Sequence, residues 1–105
     1  MRLSPRDPRI GFFYQQVGVA EIGLGHLDAA IGEFQQAIDS GWRAYSAYAD
    51  LSAAYALAGK IDEAKTALAE ARRLNPKLTV KWWNEHSTGV SAVLDGVRKA
   101  GLPEE

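Results

Sequence analysis

Cysteine is absent from this 105-residue chain. Disulfides and thiolate metal sites are therefore excluded, and redox chemistry gives no clue to the compartment. A surplus of either charge is also missing: 12 Lys and Arg stand against 13 Asp and Glu, for a net charge of -1. Nothing in that balance draws the chain to nucleic acid or to an anionic membrane. No apolar run approaches the roughly 18 residues of a membrane span. The opening segment, Met1-Arg2-Leu3-Ser4-Pro5-Arg6-Asp7-Pro8, is polar and broken by proline, unlike a secretory leader. A cytoplasmic protein is expected. There is no Gly-rich phosphate loop, Ser-centred elbow or H-E-x-x-H motif, so a non-enzymatic chain without metal or cofactor is expected.

What is present is a repeat. Gly25 recurs as Gly59, a shift of 34. At the same shift Tyr14 answers Tyr48, Val17 answers Leu51, Ala20 answers Ala54, Leu27 answers Ile61 and Asp28 answers Asp62. Ala30 answers Ala64, Phe34 answers Leu68 and Ala37 answers Ala71. Small residues match small ones and large apolar residues match large ones. Apolar periodicity predicts helices over 8–24, 27–40, 44–58 and 61–74. Asp7-Pro8 reads as an N-cap followed by proline at the first helical position. Gly25 and Gly59 fall where a left-handed C-cap closes a helix.

The period is that of the tetratricopeptide repeat, and the motifs resemble that family. Tyr48-x-x-Leu51-Ser52-x-x-Tyr55 is similar to its W-x-x-L-G-x-x-Y, Ala64-x-x-x-Leu68 to its A-x-x-x-F, and Pro76 sits at the closing proline. The first copy, Tyr14-x-x-Val17-Gly18-x-x-Glu21 with Ala30-x-x-x-Phe34, departs at Glu21 (for tyrosine) and at Trp42 (for proline). The resemblance implies an all-α chain of tandem helix-turn-helix repeats, a right-handed α-solenoid, with a C-terminal capping helix. Repeat 1 covers 11–44 and repeat 2 covers 45–78. The small residues Ala20, Ala30, Ala37, Ala54, Ala64 and Ala71 are expected at close helix crossings.

A third copy starts in register at Trp82 and then breaks, with Glu85 and His86 in place of Leu51 and Ser52. Val90, Val93, Leu94 and Val97 fall on one helical face after Ser87-Thr88. Residues 79–100 therefore read as a degenerate third repeat, with a capping helix at 89–100 shielding repeat 2. At the other end, Arg2-Leu3-Ser4-Pro5 echoes Arg73-Leu74-Asn75-Pro76. Residues 1–7 then read as the end of a truncated preceding repeat. The alternative is a true start at Met1 and a chance echo. The stretch from Arg72 to Pro76 and from Leu94 to Glu104 also resembles the ending of bacterial signalling proteins. Those proteins place such repeats after a class III adenylate cyclase or a winged-helix domain. No cyclase motif lies in these residues, so any such chemistry would lie upstream.

The family binds proteins in a concave groove lined by the first helix of each repeat. The resemblance places Phe12, Gln15, Val19, Ile22 and Gly23 there, with Ser46, Ala49, Asp50, Ala53, Ala56 and Leu57. The Lys, Arg and Asn of a carboxylate clamp are missing from these positions. An apolar, shallow groove is expected, suited to an amphipathic helix or an apolar peptide. The chain's own C-terminal segment or a second copy could fill it instead. Trp82 is expected in the core, and Trp42 and Trp83 at a contact surface. His26 and His86 read as surface or capping residues, and Asp62 and Glu63 as a helix start. The expected function is a protein-interaction scaffold in a larger bacterial signalling or regulatory protein. Its partner could be the parent's own upstream domain. The alternative is a module that dimerises the parent.

Overall fold

The computed structural model describes residues 8–42, 44–86 and 91–105. Among the described residues the chain is all helical, without strands. The helices are α1 (Pro8–Gly23), α2 (Leu27–Asp39), α3 (Tyr45–Leu57), α4 (Ile61–Leu74), α5 (Val80–His86) and α6 (Ser91–Ala100). The expected cap at Asp7, the Ser87-Thr88 pair, the expected helix start at 89–90 with Val90, and the echo at 1–7 lie outside the described residues. Also among the described residues, no helix is long and apolar enough to cross a membrane.

The first four helices lie within one residue of the expected spans; glycine closes the first three, and Asn75-Pro76 ends the fourth. Gly25 and Gly59 take φ of +80° and +83°, a conformation that costs glycine little. The backbone then folds back on the helix end twice. His26 N–H donates to the Glu21 carbonyl at 2.8 Å and Gly25 N–H to Ile22 at 3.0 Å. Lys60 and Gly59 repeat the pattern on Tyr55 and Ala56 at 2.8 and 3.0 Å. These short turns send each following helix back along the one before. Two helical hairpins result, α1 with α2 and α3 with α4.

α3 is the centre of the molecule, in contact with α1, α2, α4 and α6. It is apolar on all sides, as a surrounded helix must be. Ala47, Ala49, Ser52, Ala53, Ala54 and Ala56 are wholly or almost wholly buried. Their short side chains let several backbones approach one helix at once. The buried Ser52 hydroxyl donates to the Ala49 carbonyl at 2.7 Å, so it carries no unmet hydrogen bond.

The hairpins balance bulk against absence. In the first, Phe34 of α2 is fully buried and its ring lies on Gly18 of α1. A Cβ at position 18 would stand 2.5 Å from the ring. In the second, the smaller Leu68 is matched by the larger Ser52. The tail after α6 returns to α5, where Val80 and Lys81 N–H donate to the Pro103 and Glu104 carbonyls, both at 2.9 Å. Those bonds satisfy amides that a helix start otherwise leaves open.

Three expectations are corrected by the packing. Ala20 is exposed, because α1 has no preceding hairpin beside it among the described residues. Its equivalent Ala54 is fully buried. The two tryptophans exchange places: Trp83 is buried in the core, whereas Trp82 is half-buried, edge-on to Tyr45 at 5.4 Å and stacked on His86 at 4.1 Å. The cause is that α5 has only 7 residues and does not continue the register of α1 and α3. Finally, α6 packs chiefly along α3 and only slightly on α4, so it covers the inner face more than the end.

Gly18→Ala is expected to cost about 1–3 kcal/mol of unfolding free energy by overpacking against Phe34. Phe34→Leu should return part of that loss in the double variant. Urea denaturation of the two single variants and the double gives the coupling; strict additivity would contradict the proposed contact.

Candidate functional site

The residues expected to line the groove do come together, but most of them are covered. Ile22, Ala49, Ala53 and Ala56 are buried core residues, and Val19 and Leu57 are half-buried against that core. Gly23 is exposed at the end of α1. The cover is α6, which packs on both α1 and α3. It presents Val93, Gly96, Val97 and Ala100 as its buried face. At the crossing, a Cβ on Gly96 would stand 2.6 Å from the Ala53 Cβ and 2.7 Å from the Ala53 carbonyl oxygen. Backbone touches backbone there, so no peptide fits between the two helices. The open apolar groove is thus corrected: the chain fills it with its own helix.

The other end of the same face is polar. Trp42 Nε1 donates to Gln15 Oε1 at 2.6 Å. Gln15 Nε2 in turn donates to Asp50 Oδ2 at 2.9 Å and to Ser46 Oγ at 3.0 Å. The chain of bonds ties α1, α3 and the segment between α2 and α3 together. Gln15 and Asp50 are both buried. Burial pushes the Asp50 carboxyl up to about 7, against the Gln15 hydrogen bond, which lowers it. Burial, then the Asp50 charge, also raises the neighbouring Tyr45 phenol. Trp42 is half-buried, and Phe12 meets its ring edge-on at 6.1 Å. Trp42 is therefore a strut between helices more than a free contact.

Phe12 alone of the expected groove residues keeps a large apolar surface in water, at 52% exposure. It adjoins a surface that the groove assignment left out. Phe13 is 57% exposed and Leu24, just past the end of α1, is 67% exposed. With Val17 and Ala20 they form a stripe at helical spacing on the side of α1 opposite its buried Gly11, Gln15, Gly18 and Ile22. α1 thus carries an apolar stripe on the side away from its buried face, and Phe13 and Leu24 leave that stripe largely in water. The signal was available in the repeat itself. Phe13, Val17 and Ala20 stand 34 residues before Ala47, Leu51 and Ala54, all buried in α3.

The histidines sit on the surface. His26 Nδ1 lies 2.8 Å from Glu21 Oε2, a contact made by the residue that departs from the repeat's tyrosine. Among the described residues, no three His, Asp or Glu side chains group as a metal site. A cleft of about 580 Å³ lies against α3 and α4, lined by Tyr48, Leu51, Tyr55, Asp62, Thr66 and Glu70 among others. No family model, curated protein or solved structure matches the chain.

The Asp50 carboxyl titrates near 7 when folded and at its ordinary 3.8 when exposed. Between those values the folded chain holds the proton more tightly. Stability from this group therefore falls as pH rises from about 4 to about 7, and is level above. Asp50→Asn keeps the acceptor for Gln15 and removes the buried charge. It is expected to stabilise by about 1–3 kcal/mol at pH 8, with a smaller gain at pH 5. Thermal unfolding of both proteins across that range checks it; a gain independent of pH would contradict a buried, titrating carboxyl.

Proposed function

We propose that this chain is a protein-interaction scaffold of the tetratricopeptide kind, whose contact surface is the outer face of α1. The 34-residue recurrence of helix positions, the two hairpins closed by equivalent glycines and the alanine-lined α3 support the repeat reading. On this reading the architecture is a short right-handed solenoid whose inner groove is occupied by α6. The scaffold serves as the C-terminal module of a larger bacterial signalling or regulatory protein in the cytoplasm, and chemistry belonging to a cyclase or DNA-binding part lies outside these residues.

One observation carries the reading: the side of α1 opposite its buried face gathers Phe13, Val17, Ala20 and Leu24, with Phe13 and Leu24 more than half exposed. A helix that carries an apolar stripe beside its core-facing side is one with a second surface to cover. Exposed apolar surface concentrated in this way marks an interaction site. The occupant it suits is an amphipathic helix laid along α1.

A photoreactive phenylalanine analogue placed at Phe13 tests this in the intact gene product. It is expected to give a discrete crosslinked protein adduct, with another protein or with another copy, whereas the same analogue at Lys65 gives none. Absence of any adduct from Phe13 would contradict the assignment.

A further inference from the structure

We infer that the outer face of α1 pairs with the same face of a second copy of this chain, antiparallel about a two-fold axis near Gln16 and Val17. The inference rests on the reading of that face as the contact surface and names its occupant.

Three observations select a second copy in this orientation. The first is shape. Phe13 puts bulk toward one end of the face, while Ala20, between Val17 and Leu24, leaves a notch toward the other. Antiparallel pairing about Gln16 and Val17 sets Phe13 over the partner's Ala20, and the partner's Phe13 over Ala20. Parallel pairing would set phenylalanine against phenylalanine and leave a gap at alanine. The second is charge. Arg9 stands at the start of α1 and Glu21 near its end, and these are its two charged side chains. The two-fold axis brings each Arg9 to the other copy's C-terminal end, where a cation is favoured by the helix dipole. A parallel pair would bring like charges together.

The third is what the rest of the surface refuses. A head-to-tail stack would seat α1 on the outer side of α4, as α3 is seated beside α2. At the positions of Ile31, Gln35 and Ile38 in α2, α4 carries Lys65, Ala69 and Arg72. Ile31 and Ile38 belong to the core, whereas Lys65 and Arg72 are exposed cations. Lys65 and Arg72 thus set two cations under the middle of the face, where α2 offers α3 two isoleucines. The end of the molecule is closed to stacking, and a closed two-fold pair remains.

The area sets the strength. Phe12, Phe13 and Leu24 leave on the order of 300 Å² of apolar surface in water. With Val17, Ala20 and their neighbours, a pair would bury roughly 800–1,000 Å² in total, at the low end for specific contacts. The dimer is accordingly weak and forms over roughly 10 µM to 1 mM.

Sedimentation equilibrium over that range reads the association. The average mass is expected to rise toward twice the monomer mass. Phe13→Asp, at an exposed site, is expected to hold the chain monomeric with unchanged circular dichroism; Lys65→Glu is expected to leave the association as it is. Orientation is read by disulfide trapping, since the chain has no cysteine of its own. Gln16→Cys is expected to crosslink to itself under mild oxidation, and Leu24→Cys is not. A mixture of Arg9→Cys and Leu24→Cys is expected to crosslink between the two variants. A monomer at 1 mM, association unaffected by Phe13→Asp, or self-crosslinking at Leu24→Cys would each overturn the pairing. A monomer that still gives a photo-adduct at Phe13 with a different protein overturns the pairing alone and leaves the contact surface standing.

Discussion

The approach of α6 to α3 at Gly96 and Ala53 is the contact on which the rest of the molecule depends. A glycine and an alanine let the two backbones meet, and that closeness seals the inner face over Ala49, Ala53 and Ala56. The tail beyond α6 in turn supplies carbonyls to the first amides of α5. The core is thus closed by an element at the far end of the sequence. Small size is the physical resource throughout: Gly18 makes room for Phe34, the alanines of α3 make room for four neighbours, and Gly96 makes room for Ala53.

Once the inner face is sealed, the places where the molecule meets others change. The polar corner of Trp42, Gln15, Asp50 and Ser46 becomes a structural tie, with a buried carboxyl held near neutrality by its surroundings. The large apolar side chains left in water gather on α1. Phe12, Phe13 and Leu24 are more than half exposed, a high share for such residues in so small a chain.

The helices and hairpins were legible in the sequence because the residues that define them act locally. Gly25 and Gly59 mark turns by their own backbone preference, and the recurrence at 34 follows from equal packing in equal places. The position of α6 was less legible. Its apolar spacing says that one face is buried, but which helix it meets depends on contacts among distant residues. Gly96 carried the signal, since a glycine within a helix marks a close approach. Trp82 and Trp83 misled for a related reason. Sequence spacing placed Trp82 in line with Tyr14 and Tyr48, but the short α5 turns Trp83 inward and leaves Trp82 at the edge. The repeat alignment pairs Ala20 with Ala54, yet burial depends on a neighbouring hairpin that α3 has and α1 lacks among the described residues.

The central claim is that α6 occupies the inner face against α3. Nuclear Overhauser contacts measured on the isotopically labelled chain address it directly. The account predicts contacts between the Gly96 α protons and the Ala53 methyl, and none between the Phe13 ring and any proton of α6. Absence of the Gly96–Ala53 contact, with α6 resonances at their unstructured positions, would contradict it.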